Sequence, residues 1–253
     1  MGIAPKLNSI RGGVRLERTL FDAGPGLVGL RQAFVARGQR ERVLVTGDGW
    51  ILSTGRVDSG RVLIGGQTGE RFTMYFPPRS VVRLELEDAR FTFEGVASLT
   101  PPPCTHDVPV LLEPNALHPR SPAEVAALVK QPVLHRLDPD ATASSPVRGA
   151  RLLLHARRDS TAPLGDAASQ VDLSSSALCR AFAAQYGITP KQYVHRARLF
   201  EATVRLLGGA TVLHSAFESG FGDLSRFYQQ FRRLIGATPA TYRRAAQEPP
   251  RTP

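Results

Sequence analysis

The pattern of hydrophobic and polar positions divides the chain into two parts of different periodicity. Between residues 28 and 98, short runs rich in Val, Ile, Leu and Phe alternate with turns that contain Gly or Pro. Such runs are typical of β-strands. The candidate strands are Val28–Ala36, Arg42–Thr46, Trp50–Thr54, Arg61–Ile64, Phe72–Phe76, Val81–Leu86 and Phe91–Phe93, with one more around Val14–Leu20. Many short strands with such turns predict a small all-β barrel or sandwich.

In the last hundred residues the apolar spacing becomes helical, and one local pattern is written twice. Each copy has a capping residue, an apolar pair spaced i, i+4, and then Gly-x-Thr-Pro-x-x-Tyr. Every position of the second copy lies 49 residues after its counterpart in the first. The matched pairs are Ser174 and Asp223, Leu178 and Phe227, Phe182 and Phe231, Gly187 and Gly236, Pro190 and Pro239, and Tyr193 and Tyr242.

The ends of the repeated pattern predict two helices of equal length. Ser174 and Asp223 are good N-caps because a short side-chain oxygen accepts the free N–H groups of a first turn. Gly187 and Gly236 suit the left-handed residue that ends a helix. We therefore expect helices at Ser175–Tyr186 and Leu224–Ile235.

The segments around these two helices complete a pair of helix-turn-helix units. A shorter helix with an inward-facing alanine, Ala168 or Ala216, precedes each capped helix and is separated from it by a tight turn. A connecting helix is expected from Pro190 to Leu207, and a first helix from about Val147 to Arg158. Together these elements predict an all-α domain.

The most specific string in this part is Gly220-Phe221-Gly222-Asp223-Leu224-Ser225-Arg226-Phe227. It is followed by Phe231-Arg232-Arg233, Gly236 and Thr238-Pro239-x-x-Tyr242-Arg243. Over roughly residues 148–246 the sequence resembles the DNA-binding domain of the AraC/XylS family of bacterial transcription regulators. The resemblance implies binding of double-stranded DNA, control of transcription and a cupin-like barrel ahead of the helices. The sequence departs from the family at Asp172, where glycine is common in the turn.

The resemblance also implies which side chains contact DNA. The apolar pairs fix the inward faces of the two recognition helices, and the outward residues match positions that contact bases in the family. These base-contacting candidates are Ser176, Cys179, Arg180, Ser225, Arg226, Tyr228 and Gln229. Arg232, Arg233, Arg243 and Arg244 are the candidates for phosphate contacts, which hold register without reading sequence. Two recognition helices on one connecting helix would read adjacent major grooves.

The chemistry of the outward residues differs between the two helices. Arg180 can bond guanine O6 and N7, and Gln229 can bond adenine N6 and N7. Alternatively, Arg180 serves as a phosphate clamp or in a salt bridge, and Arg226 has a structural or phosphate-facing role. The arginines of the connecting helix, Arg196, Arg198 and Arg205, either contact DNA or pair with Glu201.

The role of the N-terminal half is left open between three hypotheses. Small barrels often bind molecules at their mouth, so a small effector is one hypothesis, with no effector-binding residue identified. A dimerisation or protein-interaction module without a ligand is the second. The third is an enzyme with a reactive Cys104, beside His106. We expect no enzyme, because nothing else supports Cys104, and neither metal nor cofactor, because all six histidines follow residue 98.

These elements give an α+β chain in which an all-β region precedes an all-α region. The expected division is 1–115 for the cupin-like barrel, 116–147 for a short helix and interdomain linker, 148–246 for the DNA-binding domain and 247–253 for a disordered tail. Residues 148–253 hold 15 Lys and Arg against 7 Asp and Glu, whereas residues 1–147 hold 17 against 15. The excess positive charge in the helical half favours a polyanionic partner.

Compartment and further partners follow from what the sequence lacks and from the resemblance. The two cysteines, Cys104 and Cys179, lie in different predicted domains, so no disulfide framework is indicated. No signal peptide and no apolar run of about 20 residues is seen, which predicts a cytoplasmic protein without a membrane partner. RNA polymerase and a second copy of the chain are further partners that the resemblance allows.

Overall fold

The computed structural model describes residues 6–11, 14–115, 117–158 and 163–247. An all-β region is followed by a helical one, as the sequence predicts. The strands are β1 (Lys6–Arg11), β2 (Val14–Asp22), β3 (Val28–Ala36), β4 (Gln39–Val45), β5 (Trp50–Ile64), β6 (Gln67–Thr68), β7 (Arg71–Phe76), β8 (Val81–Ser98), β9 (Val110–Leu112) and β10 (Val133–Arg136). The helices are α1 (Pro122–Leu128), α2 (Ser145–Ala156), α3 (Pro163–Gln170), α4 (Ser175–Tyr186), α5 (Pro190–Leu207), α6 (Val212–Glu218), α7 (Leu224–Ile235) and α8 (Pro239–Gln247).

Strand β8 is the centre of the sheet, which is antiparallel and has the order β1-β2-β3-β8-β5-β7-β9-β10. The first part of β8 pairs with β4 and its second part with β3, while β5 pairs along most of its other edge. Two predictions were wrong in this region, because β5 and β8 were each expected as two short strands. Asp58-Ser59-Gly60 was expected to be a turn, but it lies inside β5 at two register shifts, where the ladder adjusts without ending.

Two apolar clusters hold the sheet region together. One contains Phe72, Met74 and Phe91, with Phe34 stacked on Phe91 at a centroid distance of 4.5 Å. The other contains Trp50 and Tyr75 and is covered by α1. Helix α1 lies in the segment where a short helix was expected, and the Ser121 side chain caps it by accepting from the Glu124 N–H.

Strand β10 was not predicted, although it lies inside the segment expected to hold a helix and a linker. Its four residues are exposed and pair with β9 at the end of the sheet. His135 is one of them. The strands therefore extend past residue 98, and a position after that residue does not keep a histidine off the sheet. Within the described ranges, no group of three or more His, Cys, Asp and Glu side chains could hold a metal ion.

The helical region agrees closely with the repeated pattern. Helices α4, α5 and α7 have the predicted bounds, and the left-handed C-caps are Gly187 and Gly236, with φ of 70° and 88°. Asp172 takes φ of 55°, so aspartate accommodates the left-handed turn where the family favours glycine. The predicted disordered tail begins at Gln247, the last residue of α8, and residues 248–253 lie outside the described ranges.

The two regions are joined by a polar contact that we call the seam, formed by Gly47, Asp48, His155, Arg158 and Glu201. The Asp48 carboxylate accepts from Arg158 Nη2 at 2.5 Å and lies 2.8 Å from His155 Nε2. Glu201, with 1% exposure, accepts from the Asp48 backbone N–H at 3.0 Å. The turn between β4 and β5 is therefore bound by side chains of α5 and of the segment around the end of α2.

His155 lies on the buried side of the seam, with 2% of its side chain exposed. Burial lowers its pKa, which the Asp48 carboxylate opposes and the charges of Arg158 and Arg79 reinforce. Tyr193, whose pKa is raised by burial, keeps its hydroxyl proton and lies 3.1 Å from His155 Nδ1. A neutral imidazole can thus accept from Tyr193 at Nδ1 and donate to Asp48 from Nε2.

This arrangement predicts that acid weakens the seam. Because the folded pKa of His155 lies below its ordinary value of 6.5, the unfolded chain takes up a proton first as pH falls. The stability that the neutral His155 contributes is therefore present above its ordinary pKa and is lost as pH falls through the pKa of His155 in the folded protein. Urea unfolding at pH 7.5 and at pH 5.5 should show that the free energy of unfolding falls more between these two pH values in the wild type than in the His155→Gln variant. Glutamine keeps a hydrogen-bond donor but does not titrate.

The comparison isolates His155, because the raised pKa of the buried Glu201 acts in both proteins. Equal pH dependence in the two proteins would contradict the assignment of a neutral, buried His155.

Candidate nucleic-acid interface

The two recognition helices are anchored by aromatic packing on their inward faces. On α4, Phe182 is fully buried, and its ring lies 4.6 Å from Tyr186 and 5.8 Å from Tyr193. On α7, Phe227 and Phe231 are fully buried, with ring centroids 5.5 Å apart. The rings belong to separate clusters, so each recognition helix has its own core and both are joined through α5.

The first turns of both helices are fixed by side-chain caps. The Asp223 carboxylate accepts from the Arg226 N–H at 2.5 Å, and the Ser174 hydroxyl accepts from the Ala177 N–H at 3.2 Å. These bonds satisfy N–H groups that a helix leaves free at its start. The N-terminal turns, where base-contacting candidates lie, are therefore ordered before any ligand binds.

Most of the predicted base-contacting residues lie on the solvent side of these helices. Ser176, Arg180, Ser225, Arg226 and Gln229 are exposed, and Cys179 is half-buried. Tyr228 is also half-buried, because its ring packs edge-on against Phe227 at 6.2 Å. The sheet region therefore leaves the outward faces of α4 and α7 accessible.

The predicted phosphate-contacting residues divide into two groups. Arg232, Arg233 and Arg244 are exposed. Arg243 is half-buried and donates to the Gly209 carbonyl at 3.5 Å, at the end of α5. Its guanidinium is thus turned partly toward the protein.

The arginines of α5 contact the protein itself. Arg196 donates to the Val43 carbonyl of β4, and Arg198 lies over the Phe221 ring at 6.0 Å. Arg205 donates to the Glu218 carbonyl at 3.5 Å. Sequence reasoning left these residues between DNA and Glu201; the structure places Arg158 at 3.4 Å from Glu201, and the charge of Arg205 also opposes the rise that burial causes in the Glu201 pKa.

Two features of the helical region were not found from the sequence. His195 of α5 has a lowered pKa, owing to burial and to the charges of Arg198, Lys191 and Arg233, so cations from α5 and α7 converge there. The other feature is an exposed apolar pair on α6, Leu213 and Phe217, whose exposures are 55% and 51%. The i, i+4 spacing of Leu213 and Phe217 was the available signal for that pair.

A cleft of about 250 Å³ lies between the sheet, the segment 136–142 and the last turn of α4. Its lining is mostly polar and includes Arg83, Arg136 and Thr142. Gln185 of α4 donates across one side to the Pro139 carbonyl at 3.0 Å.

Cys104, the residue of the enzyme hypothesis, is half-buried and unpaired with any cysteine, and it packs against the apolar cluster beneath α1. Among the described helices, none is both long and apolar enough to cross a membrane.

The helical region is similar in sequence to known helix-turn-helix proteins. Residues 167–245 match a family model described as a helix-turn-helix domain. The HTH-type transcriptional activator RhaS of Klebsiella pneumoniae is 37% identical over 79 residues, which are 31% of this chain and 28% of that protein. The chain therefore spans between about a fifth and a third of the length of the curated relatives it matches.

Two solved structures are similar to this chain. A probable AraC family transcriptional regulator from Rhodopseudomonas palustris is 26% identical, with a TM-score of 0.37 over 42% of this chain and 100% of that one. ToxT from Vibrio cholerae is 11% identical, with a TM-score of 0.46 over 83% of this chain and 100% of that one.

Proposed function

We propose that the chain is a sequence-specific DNA-binding regulator of transcription, because residues 167–245 match a family model described as a helix-turn-helix domain. Helices α4 and α7 read adjacent major grooves of one duplex. The observation that carries the proposal is the pair of capped helices, whose inward faces are anchored by aromatic rings and whose N-terminal turns present exposed polar side chains. An α-helix fits the major groove, and its first turns reach base edges.

The outward side chains have distinct roles in this proposal. Arg180 reads guanine and Gln229 reads adenine, each through two hydrogen bonds. Ser176, Cys179, Ser225, Arg226 and Tyr228 complete the base-contacting set. Arg232, Arg233 and Arg244 bind phosphates, and Arg243 does so if it leaves the Gly209 carbonyl. RNA polymerase is the proposed partner through which DNA binding affects transcription.

The proposal is tested by selecting bound duplexes from fragments of the native genome and from a random library. We expect one asymmetric motif with two conserved halves about one helical turn apart. Retention of all sequences alike, with no enrichment over scrambled competitor, would refute the proposal.

Arg180→Ala is the test of base reading by α4. The variant should lose about 1–3 kcal/mol of binding free energy on the selected site and should lose preference at one base pair. Binding to a panel of single-base site variants, measured by fluorescence anisotropy, reports both effects. An unchanged base preference would remove Arg180 from the reading set.

Arg232→Ala is the matched test of phosphate binding by α7. This variant should weaken binding to every sequence alike and lower the salt slope by about one counterion. Titrations from low to moderate salt on the selected and scrambled duplexes give that slope. A loss confined to the selected duplex would show that Arg232 reads bases.

Regulation by a small effector is the second part of the proposal. The centre of the sheet is filled by side chains such as Trp50, Leu52 and Phe91, none more than 2% exposed. We therefore place the effector in the cleft between the sheet, residues 136–142 and α4. A ligand there would contact both regions and could bias the position of α4.

Thermal shift with a metabolite panel that includes sugars and cyclic nucleotides tests the effector site. A ligand that binds only the folded state should raise Tm. The rise should be lost in Thr142→Trp, which places a large ring at the cleft, and kept in Lys130→Ala, an exposed residue that does not line it. If no compound raises Tm and the mass in solution doubles with concentration, the sheet region is a dimerisation module instead.

A further inference from the structure

The C-terminal end of α7 is held by a buried arginine of the sheet. Arg18 of β2, with 9% exposure, donates from Nη1 to the Ile235 carbonyl at 2.7 Å. Ile235 is the last residue of α7, where helix carbonyls lack intrahelical partners and the helix dipole is negative. Burying a guanidinium is costly without such a partner, so this contact specifies where α7 ends relative to the sheet.

The C-terminal end of α4 rests on another part of the same sheet. Glu41 of β4 and Arg83 of β8 form an ion pair of 3.0 Å directly against Gly187, the C-cap of α4. A Cβ atom at Gly187 would lie 2.5 Å from Glu41 Oε1. The C-cap of α4 is therefore in direct contact with the sheet at Gly187.

Both recognition helices thus meet one sheet at the ends opposite to their base-contacting turns. Each helix has twelve residues and is about 18 Å long, so a small shift of either end moves the corresponding N-terminal turn by a comparable distance. The cores of α4 and α7 are separate clusters. The distance between the two reading turns therefore depends on α5 and on the sheet together.

We propose that Arg18 is a positioning residue that sets the spacing between the two half-motifs that the chain recognises. The sheet region holds the two recognition helices at a fixed separation through Arg18 on α7 and the Glu41–Arg83 pair on α4. Arg18 contacts no base or phosphate in this account and acts through the Ile235 carbonyl. The inference depends on the proposed function, because spacing has a meaning only if both helices read one duplex.

Spacing variants of the selected site test this inference. Inserting one base pair between the half-motifs moves the second half by about 3.4 Å and by about a tenth of a turn. We expect the Kd of the wild type to rise by about tenfold or more when one base pair is inserted or deleted, a cost similar to that of a mismatch. In Arg18→Met, the ratio of the Kd for an altered spacing to the Kd for the selected spacing should fall by about threefold or more. Methionine keeps an apolar stem but cannot donate to the Ile235 carbonyl.

Three controls separate positioning from folding. Arg15→Met, an exposed arginine of the same strand, should keep the wild-type spacing profile. Arg18→Lys retains a donor and should restore part of the profile. Binding to a duplex with only the α4 half-motif should stay within about twofold of wild type in Arg18→Met, which a damaged fold would not allow.

A second variant keeps the proposal testable should Arg18→Met fail to fold. Glu41→Ala removes the exposed ion pair beneath α4 and should relax the same spacing profile. If Arg18→Met and Glu41→Ala bind the selected site with unchanged spacing preference, the positioning role is overturned while the proposed function stands. If the wild type shows no sequence preference on any duplex, the proposed function itself has failed.

Discussion

The position of the helices depends on the contact between Gly47 and α5. A Cβ atom at Gly47 would lie 2.2 Å from Glu201 Oε1 and 2.8 Å from the Ala197 carbonyl, so only glycine allows the backbone to approach this closely. That approach lets the buried Glu201 accept the Asp48 N–H. A buried carboxylate such as that of Glu201 is costly without a partner, and Arg158 lies within ion-pair distance of both Glu201 and the partly exposed Asp48. The seam thus joins the turn between β4 and β5 to α5 and to the end of α2 through Arg158 and Glu201.

Around this contact the apolar surface of the two regions is continuous. Val43, Val45 and Val81 of the sheet belong to the same buried cluster as Phe182 and Tyr193 of the helices. Burial of this surface supplies the non-directional part of the attraction, and the seam supplies its direction. Because the outward faces of α4 and α7 stay exposed, docking constrains how the helices are placed and does not cover them.

The helices were predictable from the sequence because their determinants are local. Caps such as Asp223 and Gly236 lie within a turn of the helix ends that they define, and the i, i+4 pairs define the inward faces. The sheet was less predictable because pairing joins distant residues. Nothing local shows that Asp58-Ser59-Gly60 continues β5, since the ladder to β8 tolerates the shift in register. Arg18 gave no signal at all, because its partner is 217 residues away.

The positive charge of the helical region shows why composition alone does not define a DNA-binding surface. Several of its arginines are used inside the protein: Arg158 pairs with Asp48, and Arg196 donates to the Val43 carbonyl. Others, including Arg180 and Arg232, are exposed on the outward side of the recognition helices. A net excess of charge counts both groups equally, although only the second can reach a phosphate or a base. The division follows from the docking of the sheet, because the contacts that hold the helices in place withdraw one set of arginines from solvent and leave the other exposed.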